Sequence, residues 1–426
     1  MKSVVVRPAS SRLFVFWILA FVLSLILFGA AAVGAAPVIG DKIESVRYRI
    51  LAMLPPPPHT EFVPTPLPTP TAPAETTQPT ETTEPADSQT ATSTPTVISS
   101  PTPTRNAPPT PAVALKAIQP SVHLTGYIHD YQRWNNCGPT TLEMGLSFFG
   151  HREPQVQIAS VLKPDPDDKN VRPDEMAAYV RTDGLNALVR VNGTVDRIKL
   201  ILSNGLPVIV ETGFDPPQAH EGWMGHYRLV TAYDDKNFIT QDSYDGPNVP
   251  VAFDALDADW KAFNRTYLLI YTNAQSPLVQ AILGNDMNDV KMYTTALARA
   301  QTESAADPQD AFAAFNMGSS LLGLGRYNEA ASAFDHARLL KLPWRMLWYQ
   351  FGPYVAYYRT GRYDEVLGLT NATLAVVDDL EESHYYRGLA LQALGRTTEA
   401  RAEFTTALRY NKNYADAQQA LAKLNP

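Results

Sequence analysis

The chain has 426 residues, which is enough for two or three domains. Its formal net charge is −8, and it has no basic stretch of the kind that contacts nucleic acid, which argues against a nucleic-acid-binding protein. It contains a single cysteine, so neither an internal disulfide nor a cysteine-ligated zinc or iron–sulfur centre is expected. No pattern indicates a cofactor or a metal, and none is expected.

The N-terminal region has the pattern of a membrane anchor. An apolar run over residues 13–36 is long enough to span the hydrocarbon core of a bilayer. Basic residues precede it: Lys2, Arg7 and Arg12. Because positive charges stay in the cytoplasm, residues 1–12 are predicted to be cytoplasmic and the bulk of the chain extracytoplasmic. The run is long for a signal peptide, which favours a single-pass signal anchor; small residues at 31–36 leave signal cleavage and secretion open.

Residues 37–116 are predicted to form a stalk. Their central part, 55–111, consists largely of Pro, Thr, Ser, Ala and Glu. Such a composition lacks the apolar surface that offsets the entropy cost of ordering, so a disordered, extended segment with polyproline character is expected. At about 3 Å per residue the upper bound on its reach is well over roughly 100 Å, and such a stalk would hold the folded part away from the membrane.

From residue 117 to residue 275 the composition becomes globular, and predicted helices largely precede predicted strands. Helices are expected over 140–149, 153–162, 174–183 and 194–203, with a short helix around Trp260. Strands are expected over 187–191, 207–211, 226–233, 238–242 and 267–271. This order predicts an α+β domain with an antiparallel sheet.

The single cysteine lies in the stretch QRWNNCGPTTLEMGLSFFG, residues 132–150. Turn-forming residues and Pro139 lead into an apolar helical pattern, which places Cys137 at a helix N-terminus. There, unpaired backbone N–H groups and the helix dipole stabilise a thiolate, the nucleophilic form. The alternative is a buried cysteine that packs as a small apolar residue, but the polar Gly-Pro turn favours a catalytic nucleophile.

A cysteine nucleophile needs a base, a group that orients the base, and a donor for the oxyanion. His226 begins the predicted strand GHYRLVTAYDD and Asp242 ends the next, FITQD, so antiparallel pairing would bring the two side chains together. Asp242 is alternatively a turn residue. His220 is a second candidate base, more typical of a surface loop. Gln132, five positions before Cys137, is either a polar loop residue or the oxyanion donor.

Residues 276–426 show a repeat. The segments GLGRYNEAASAF, RTGRYDEVLGLT and ALGRTTEARAEF share Gly-Arg pairs that begin at Gly325, Gly361 and Gly395, 34–36 residues apart. This is the period of helix–turn–helix arrays, and the motif resembles the tetratricopeptide repeat. The repeats predict an all-α domain with a short concave surface that binds a protein partner. A packing module that only steadies the preceding domain is the alternative.

The motifs around Cys137 carry a family resemblance. Q-x4-C-G-P-T followed by a helix, then GHYRLVTAYDD and ITQDSYDG, resembles the papain-like cysteine peptidases of family 39, whose best-known members remove double-glycine leader peptides from bacteriocins. The resemblance covers about residues 123–273 and is closer to stand-alone members than to transporter-fused ones. It implies a papain-like α+β fold with Cys137 as nucleophile, His226 as base, Asp242 as orienting acid and Gln132 as oxyanion donor.

Two departures limit what this resemblance implies. The sequence has no ATP-binding loop and no multi-span membrane domain, so leader cleavage coupled to export is not implied. Its predicted extracytoplasmic placement also differs from the cytosolic side on which transporter-fused members work.

These segments together predict a membrane-anchored, extracytoplasmic cysteine peptidase-like hydrolase that acts on a peptide or protein and binds a partner through its repeats. A thiol acyltransferase is an alternative, because an amine can resolve an acyl-enzyme in place of water. A catalytically inert scaffold that binds a partner through the repeats is another. Cell-wall hydrolases of the NlpC type fit less well, because they usually carry a second histidine where Asp242 stands.

Overall fold

The structure is a computed structural model that describes residues 62–67, 113–215 and 222–424. The predicted cytoplasmic segment, the predicted anchor at 13–36 and most of the predicted stalk lie outside these residues. In the ranges that are described, no helix combines the length and the apolar character needed to cross a membrane.

An antiparallel sheet organises the first part of the described chain. Its strands are β1 (Val122–His123), β2 (Asn186–Arg190), β3 (Val208–Phe214), β4 (Met224–Tyr233), β5 (Asn237–Asp242), β6 (Gly246–Ala252) and β7 (Tyr267–Tyr271). The order is β2-β7-β3-β4-β5-β6, and β1 pairs with the end of β4. The predicted pairing of β4 with β5 is therefore confirmed. The sequence does not predict strand β6, because its two prolines disfavour a central strand; at the edge of the sheet they are tolerated.

Helices cover both faces of this sheet. They are α1 (Cys137–Ser147), α2 (Gln155–Leu162), α3 (Pro173–Thr182), α4 (Val195–Ser203), α5 (Phe253–Lys261) and α6 (Ser276–Leu283). Because side chains alternate along a strand, Ile209 and Leu229 pack with α1, α2 and α3, whereas Val210 and Val230 pack with α4, α5 and α6. The expected mixed α/β domain with an antiparallel sheet is confirmed. Helix α6 lies after the predicted domain boundary at residue 275, yet it packs in this first lobe.

The second part of the described chain is helical. Its helices are α7 (Asp289–Ala306), α8 (Ala311–Gly323), α9 (Tyr327–Leu339), α10 (Met346–Tyr349), α11 (Gly352–Arg359), α12 (Tyr363–Leu374), α13 (Glu381–Ala393), α14 (Thr397–Tyr410) and α15 (Ala415–Lys423). Gly325, Gly361 and Gly395 lie between the paired helices α8–α9, α11–α12 and α13–α14, with φ of 73°, 75° and 77°. Glycine is favoured at such left-handed turns, which explains why the repeat is marked by this residue. These helices form the repeat lobe.

Six residues of the predicted stalk differ from the expected disordered state. Residues 62–67 lie against the repeat lobe, and Val63 is only 3% exposed. Phe62 forms an antiparallel bridge with Pro343, and the Val63 N–H donates to the Leu342 carbonyl at 3.0 Å. Composition indicates disorder because the segment has little apolar surface of its own; the repeat lobe supplies the missing partner.

Candidate active site

Cys137 is the first residue of α1 and is half-buried. The preceding turn is held from the side: the Trp134 indole N–H donates to Asp167 Oδ1 at 3.0 Å, and Asn135 Nδ2 donates to the Asp167 carbonyl at 3.1 Å. Asn135 has a φ of 50°, a left-handed conformation that asparagine tolerates better than most residues. The turn therefore presents the sulfur at the helix N-terminus, as the sequence predicts.

His226 and Asp242 meet across β4 and β5. The register places Asp242 opposite Arg228, so His226 lies two residues away along β4. His226 Nε2 is 2.9 Å from Asp242 Oδ1, and the imidazole also hydrogen-bonds the Cys137 side chain. Because Nε2 contacts the carboxylate, Nδ1 is the ring nitrogen left to hydrogen-bond the sulfur. The structure thus brings three of the four predicted site residues into one chain of contacts.

Asp242 is completely buried and has several partners. Its Oδ2 accepts a hydrogen bond from Arg228 Nε at 2.8 Å, and its Oδ1 also accepts from the backbone N–H groups of Tyr244 and Asp245 at 2.8 and 3.0 Å. Burial alone would raise the pKa of Asp242, but His226 and Arg228 with these hydrogen bonds lower it well below its usual value. Asp242 therefore both accepts hydrogen bonds within the turn after β5 and contacts the imidazole of His226.

The electrostatics of His226 follow from the same contacts. Burial alone would lower the pKa of His226, but the charge and hydrogen bond of Asp242 together with the Cys137 contact raise it to about 9. An imidazole with this pKa is protonated at neutral pH. A cation beside the sulfur at a helix N-terminus is the environment in which a thiolate nucleophile is stabilised.

Gln132 is tied to the turn that follows Asp242. Its backbone N–H donates to the Ser243 carbonyl at 2.9 Å, and its Oε1 accepts from the Ser243 hydroxyl at 2.9 Å. The second contact fixes the orientation of the amide, because the oxygen end is held and Nε2 is the donor end. The alternative base His220 lies among residues 216–221, outside the described residues.

Two further residues of the site were missed by sequence reasoning. Arg228 is buried within an apolar strand, and an arginine in such a strand is itself a signal of a buried partner. Glu211, on β3, lies opposite Tyr227 in the register and is fully buried, which raises its pKa well above the usual value. The Tyr227 hydroxyl lies 2.8 Å from the Val171 carbonyl and 3.1 Å from Glu211 Oε1. Since the carbonyl can only accept, a protonated Glu211 completes this pair of hydrogen bonds.

The repeat lobe packs against the strand that carries His226. A Cβ added to Gly225 would lie 2.9 Å from the ring of Tyr349 on α10, so only glycine fits this close approach. Trp223 stacks on Phe263 at 5.8 Å and lies 6.1 Å from the Phe312 ring of α8. No sequence pattern marks this contact, because it joins segments more than 80 residues apart.

One group of three possible metal ligands occurs in the described part of the chain, away from this site. His151 Nδ1 lies 3.8 Å from Glu153 Oε1 and 4.0 Å from Asp183 Oδ2. All three side chains are partly exposed, and their spacing is equally that of an ordinary ion pair. They provide no basis for assigning a metal.

Comparison with known proteins agrees with these observations. Residues 120–268 match the model of the Peptidase_C39 like family, and residues 381–414 match the tetratricopeptide repeat. The chain therefore carries a C39-like peptidase domain followed by a tetratricopeptide repeat region, which confirms the family resemblance seen in the motifs. A search of curated proteins finds no match.

Solved structures with partial similarity include a C39-like peptidase and a tetratricopeptide repeat protein. A C39-like peptidase from Bacillus anthracis is 15% identical with a TM-score of 0.30, and the match covers 36% of this chain and 98% of that one. MamA is 14% identical with a TM-score of 0.28, covering 31% and 76%. YrrB, described as a tetratricopeptide repeat protein with an unusual peptide-binding site, is 17% identical with a TM-score of 0.28, covering 36% and 77%.

Proposed function

We propose that the first lobe is a cysteine peptidase-like hydrolase that acts on a peptide or protein. The observation that carries this proposal is the buried imidazole of His226, which contacts both the Asp242 carboxylate and the Cys137 side chain at a helix N-terminus. Membership of a C39-like family supports the same reaction class.

In this reaction the sulfur of Cys137 attacks the scissile carbonyl carbon, and the carbonyl oxygen becomes an oxyanion. The oxyanion accepts hydrogen bonds from Gln132 Nε2 and from the backbone N–H groups at the start of α1. Protonated His226 then gives its proton to the leaving nitrogen, and a thioester remains on the sulfur. Water, deprotonated by the now neutral His226, hydrolyses that thioester, releases the carboxyl product and restores the thiolate–imidazolium pair. Asp242 holds the imidazole orientation throughout.

The decisive experiment measures the rate of iodoacetamide alkylation as a function of pH in the wild type and in His226→Ala. Cys137 is the only cysteine, so the label reports on one site. In the wild type we expect alkylation to remain fast through neutral pH. In the variant we expect the profile of an ordinary thiol, with a midpoint near pH 8.5. Identical profiles in the two proteins would leave only a binding scaffold.

A second experiment separates hydrolysis from acyl transfer. We expect the wild type to cleave members of a peptide library and Cys137→Ala to cleave none. Repeating the digestion with an added primary amine shows which nucleophile resolves the thioester. Free carboxyl products despite the amine support the hydrolase, whereas amide products assign the protein to the acyltransferases instead.

We also propose that residues 13–36 anchor the protein with its bulk outside the cytoplasm. The basic residues before the apolar run support this orientation. External protease should digest the protein on intact spheroplasts, and digestion only after lysis would contradict the orientation. A mature N-terminus near residue 36 would establish secretion in place of anchoring.

The repeats support a further proposal, that the protein recruits a protein partner through the first helices of its repeats. A cavity there is lined by Tyr358, Tyr385, Leu389 and Ala420, from α11, α13 and α15. A photoreactive amino acid at position 389 should form a cross-link in cells. The control position is Val290, which is 63% exposed on α7, outside the cavity, and should form none. Equal cross-linking from both positions would contradict a site on the first helices.

A further inference from the structure

Residues 62–67, here called the strap, bind the repeat lobe mainly through their backbone. Besides the Val63 N–H to Leu342, the carbonyls of Pro64 and Thr65 accept hydrogen bonds from Arg338 at 2.8 and 2.9 Å. The Leu67 N–H donates to Glu365 Oε1 at 2.6 Å. Four of six successive residues thus make main-chain hydrogen bonds to one surface.

The surface that receives the strap is built around a buried ion pair. Arg338 on α9 is 2% exposed, and its Nη1 donates to Glu365 Oε2 on α12 at 2.8 Å and to the Tyr357 hydroxyl at 2.9 Å. These contacts aim Nε and Nη2 at the two strap carbonyls. Without a ligand, the two guanidinium N–H groups would lose those acceptors, which is costly for a buried cation.

Only one strap side chain is deeply buried. Val63 belongs to the same apolar cluster as Phe334 and Leu342, whereas Thr65 is exposed and Leu67 is 49% exposed. Pro64 and Pro66 have fixed φ values and no N–H group that would need a partner. A segment of this kind loses little entropy on binding, because it is already extended when free.

We propose that the second helices α9 and α12 of successive repeats carry a peptide-binding site for an extended, proline-containing segment with an apolar β-branched residue before the proline. Its resident ligand is the strap of this chain. Because the strap is tethered, its effective concentration at the site is on the order of 1 mM, so an external peptide of the same class competes against it. The site is distinct from the cavity on the first helices.

If residues 13–36 anchor the protein as proposed, docking of the strap shortens the chain that links the membrane to the peptidase-like lobe. From residue 36 to the strap an extended chain reaches about 80 Å, whereas from residue 36 to residue 117 it reaches about 250 Å, at about 3.1 Å per residue. Docking of the strap thus limits how far the peptidase-like lobe moves from the membrane, and its release extends that range about threefold.

The test uses the full-length chain and a fluorescent synthetic peptide with the sequence of residues 60–69. Val63→Asp places a charge in the apolar cluster and should release the strap. Thr65→Asp adds the same charge at an exposed side chain of the strap, on the residue whose carbonyl faces the Arg338 cation, and should leave it docked. We expect the peptide to bind Val63→Asp at least about tenfold more tightly than it binds the wild type or Thr65→Asp, as measured by fluorescence anisotropy.

Hydrogen exchange of the strap provides the second measurement. The Val63 and Leu67 amides should be protected in the wild type at every protein concentration, and that protection should be lost in Val63→Asp while the repeat helices keep theirs. Equal peptide binding in all three proteins, no binding to the released variant, or an unprotected wild-type strap would each overturn the proposal. The strap lies after residue 36, so neither signal cleavage nor an inactive Cys137 changes these outcomes.

Discussion

The candidate-site cluster on β4 and β5 and a second cluster between the two lobes both bury charged side chains, but they pair them differently. In the candidate site, Asp242 contacts two basic groups and two backbone N–H groups. The second cluster, here called the interface cluster, contains Asp168 of the first lobe with Glu381 and Glu382 of α13. These three residues are at most 3% exposed, and acidic groups outnumber their close basic partners.

In the interface cluster, burial shifts the carboxyl groups toward their neutral forms. Burial raises the pKa of Asp168 to about 7 despite the nearby Lys163, and burial raises the pKa of Glu381 and Glu382 well above the usual value. Glu381 Oε1 accepts from Asn411 Nδ2 at 2.8 Å, but Oε2 of both glutamates has no hydrogen-bond partner among the described residues. Of these two clusters, the one in which cations and N–H donors surround the buried carboxylate is the one that lowers its pKa.

Removing the charge of Asp242 should have the largest effect. Asp242→Asn keeps the shape but leaves His226 without its anion, so we expect turnover to fall by about two to four powers of ten. The pKa of His226 should fall below its value of about 9 in the same variant. Burial lowers this pKa, and the negative charge of Asp242 that offsets the effect of burial is then missing. NMR titration of labelled histidine and turnover of a cleaved peptide measure the two effects.

Asp245→Asn is the matched control for this change. The backbone N–H of Asp245 donates a hydrogen bond to Asp242, and the substitution keeps this N–H. The control should therefore retain most of the activity. If Asp242→Asn and Asp245→Asn behave alike, Asp242 acts only as a turn residue.

As the pH rises, Asp168 of the interface cluster and His226 of the candidate site should each reduce the free energy of unfolding, over different pH ranges. The pKa of Asp168 is raised in the folded protein, so its contribution is fully present below about pH 4 and is lost as the pH rises through about 7. The pKa of His226 is also raised, so its contribution is fully present below about pH 6.5 and is lost as the pH rises through about 9. A tenfold change in the acid dissociation constant on folding corresponds to about 1.4 kcal/mol of stability.

Asp168→Asn should therefore flatten the decline of the free energy of unfolding between pH 4 and pH 7, but leave the decline above pH 7 in place. Denaturant unfolding over this range checks it, with Asp235→Asn, an exposed turn residue, as the control. An unchanged slope in Asp168→Asn would show that this carboxyl stays ionised at the interface.

Much of the geometry of the candidate site could be predicted from sequence because its signals are local. Cys137 lies beside turn residues that define a helix start, and His226 and Asp242 lie on consecutive strands joined by a short turn. The Gly-Arg repeat likewise reports a local requirement for a left-handed residue between paired helices. In each case the physical constraint involves residues close along the chain.

What the sequence does not reveal depends on distant contacts. Leu67 and Glu365, joined in the strap site, are 298 positions apart. The interface cluster likewise needs the docking of α13 beside Asp168, and composition alone assigns such acidic residues to the surface. The strap is predicted to be disordered for a related reason. Its composition carries no information about the distant surface that binds it.

Glu211 offers the smallest and most discriminating change. It lies beside the candidate site, yet its burial and its geometry with Tyr227 predict a neutral carboxyl whose pKa is raised, as in the interface cluster. Glu211→Gln keeps a donor toward the Tyr227 hydroxyl, so we expect stability within about 0.5 kcal/mol of the wild type. Glu211→Ala removes the partner from a buried hydroxyl and should cost about 1–3 kcal/mol.

The charge state of Glu211 is then decided by His226. A neutral carboxyl replaced by a neutral amide leaves the electrostatic field at the imidazole unchanged, so the pKa of His226 in Glu211→Gln should remain near its wild-type value of about 9. An ionised carboxylate close to Cys137 and His226 would instead help to hold the proton, and its replacement would lower that pKa. A clear decrease of the His226 pKa in the NMR titration would therefore place Glu211 with Asp242 among the charged carboxylates, and an unchanged titration places it with Asp168.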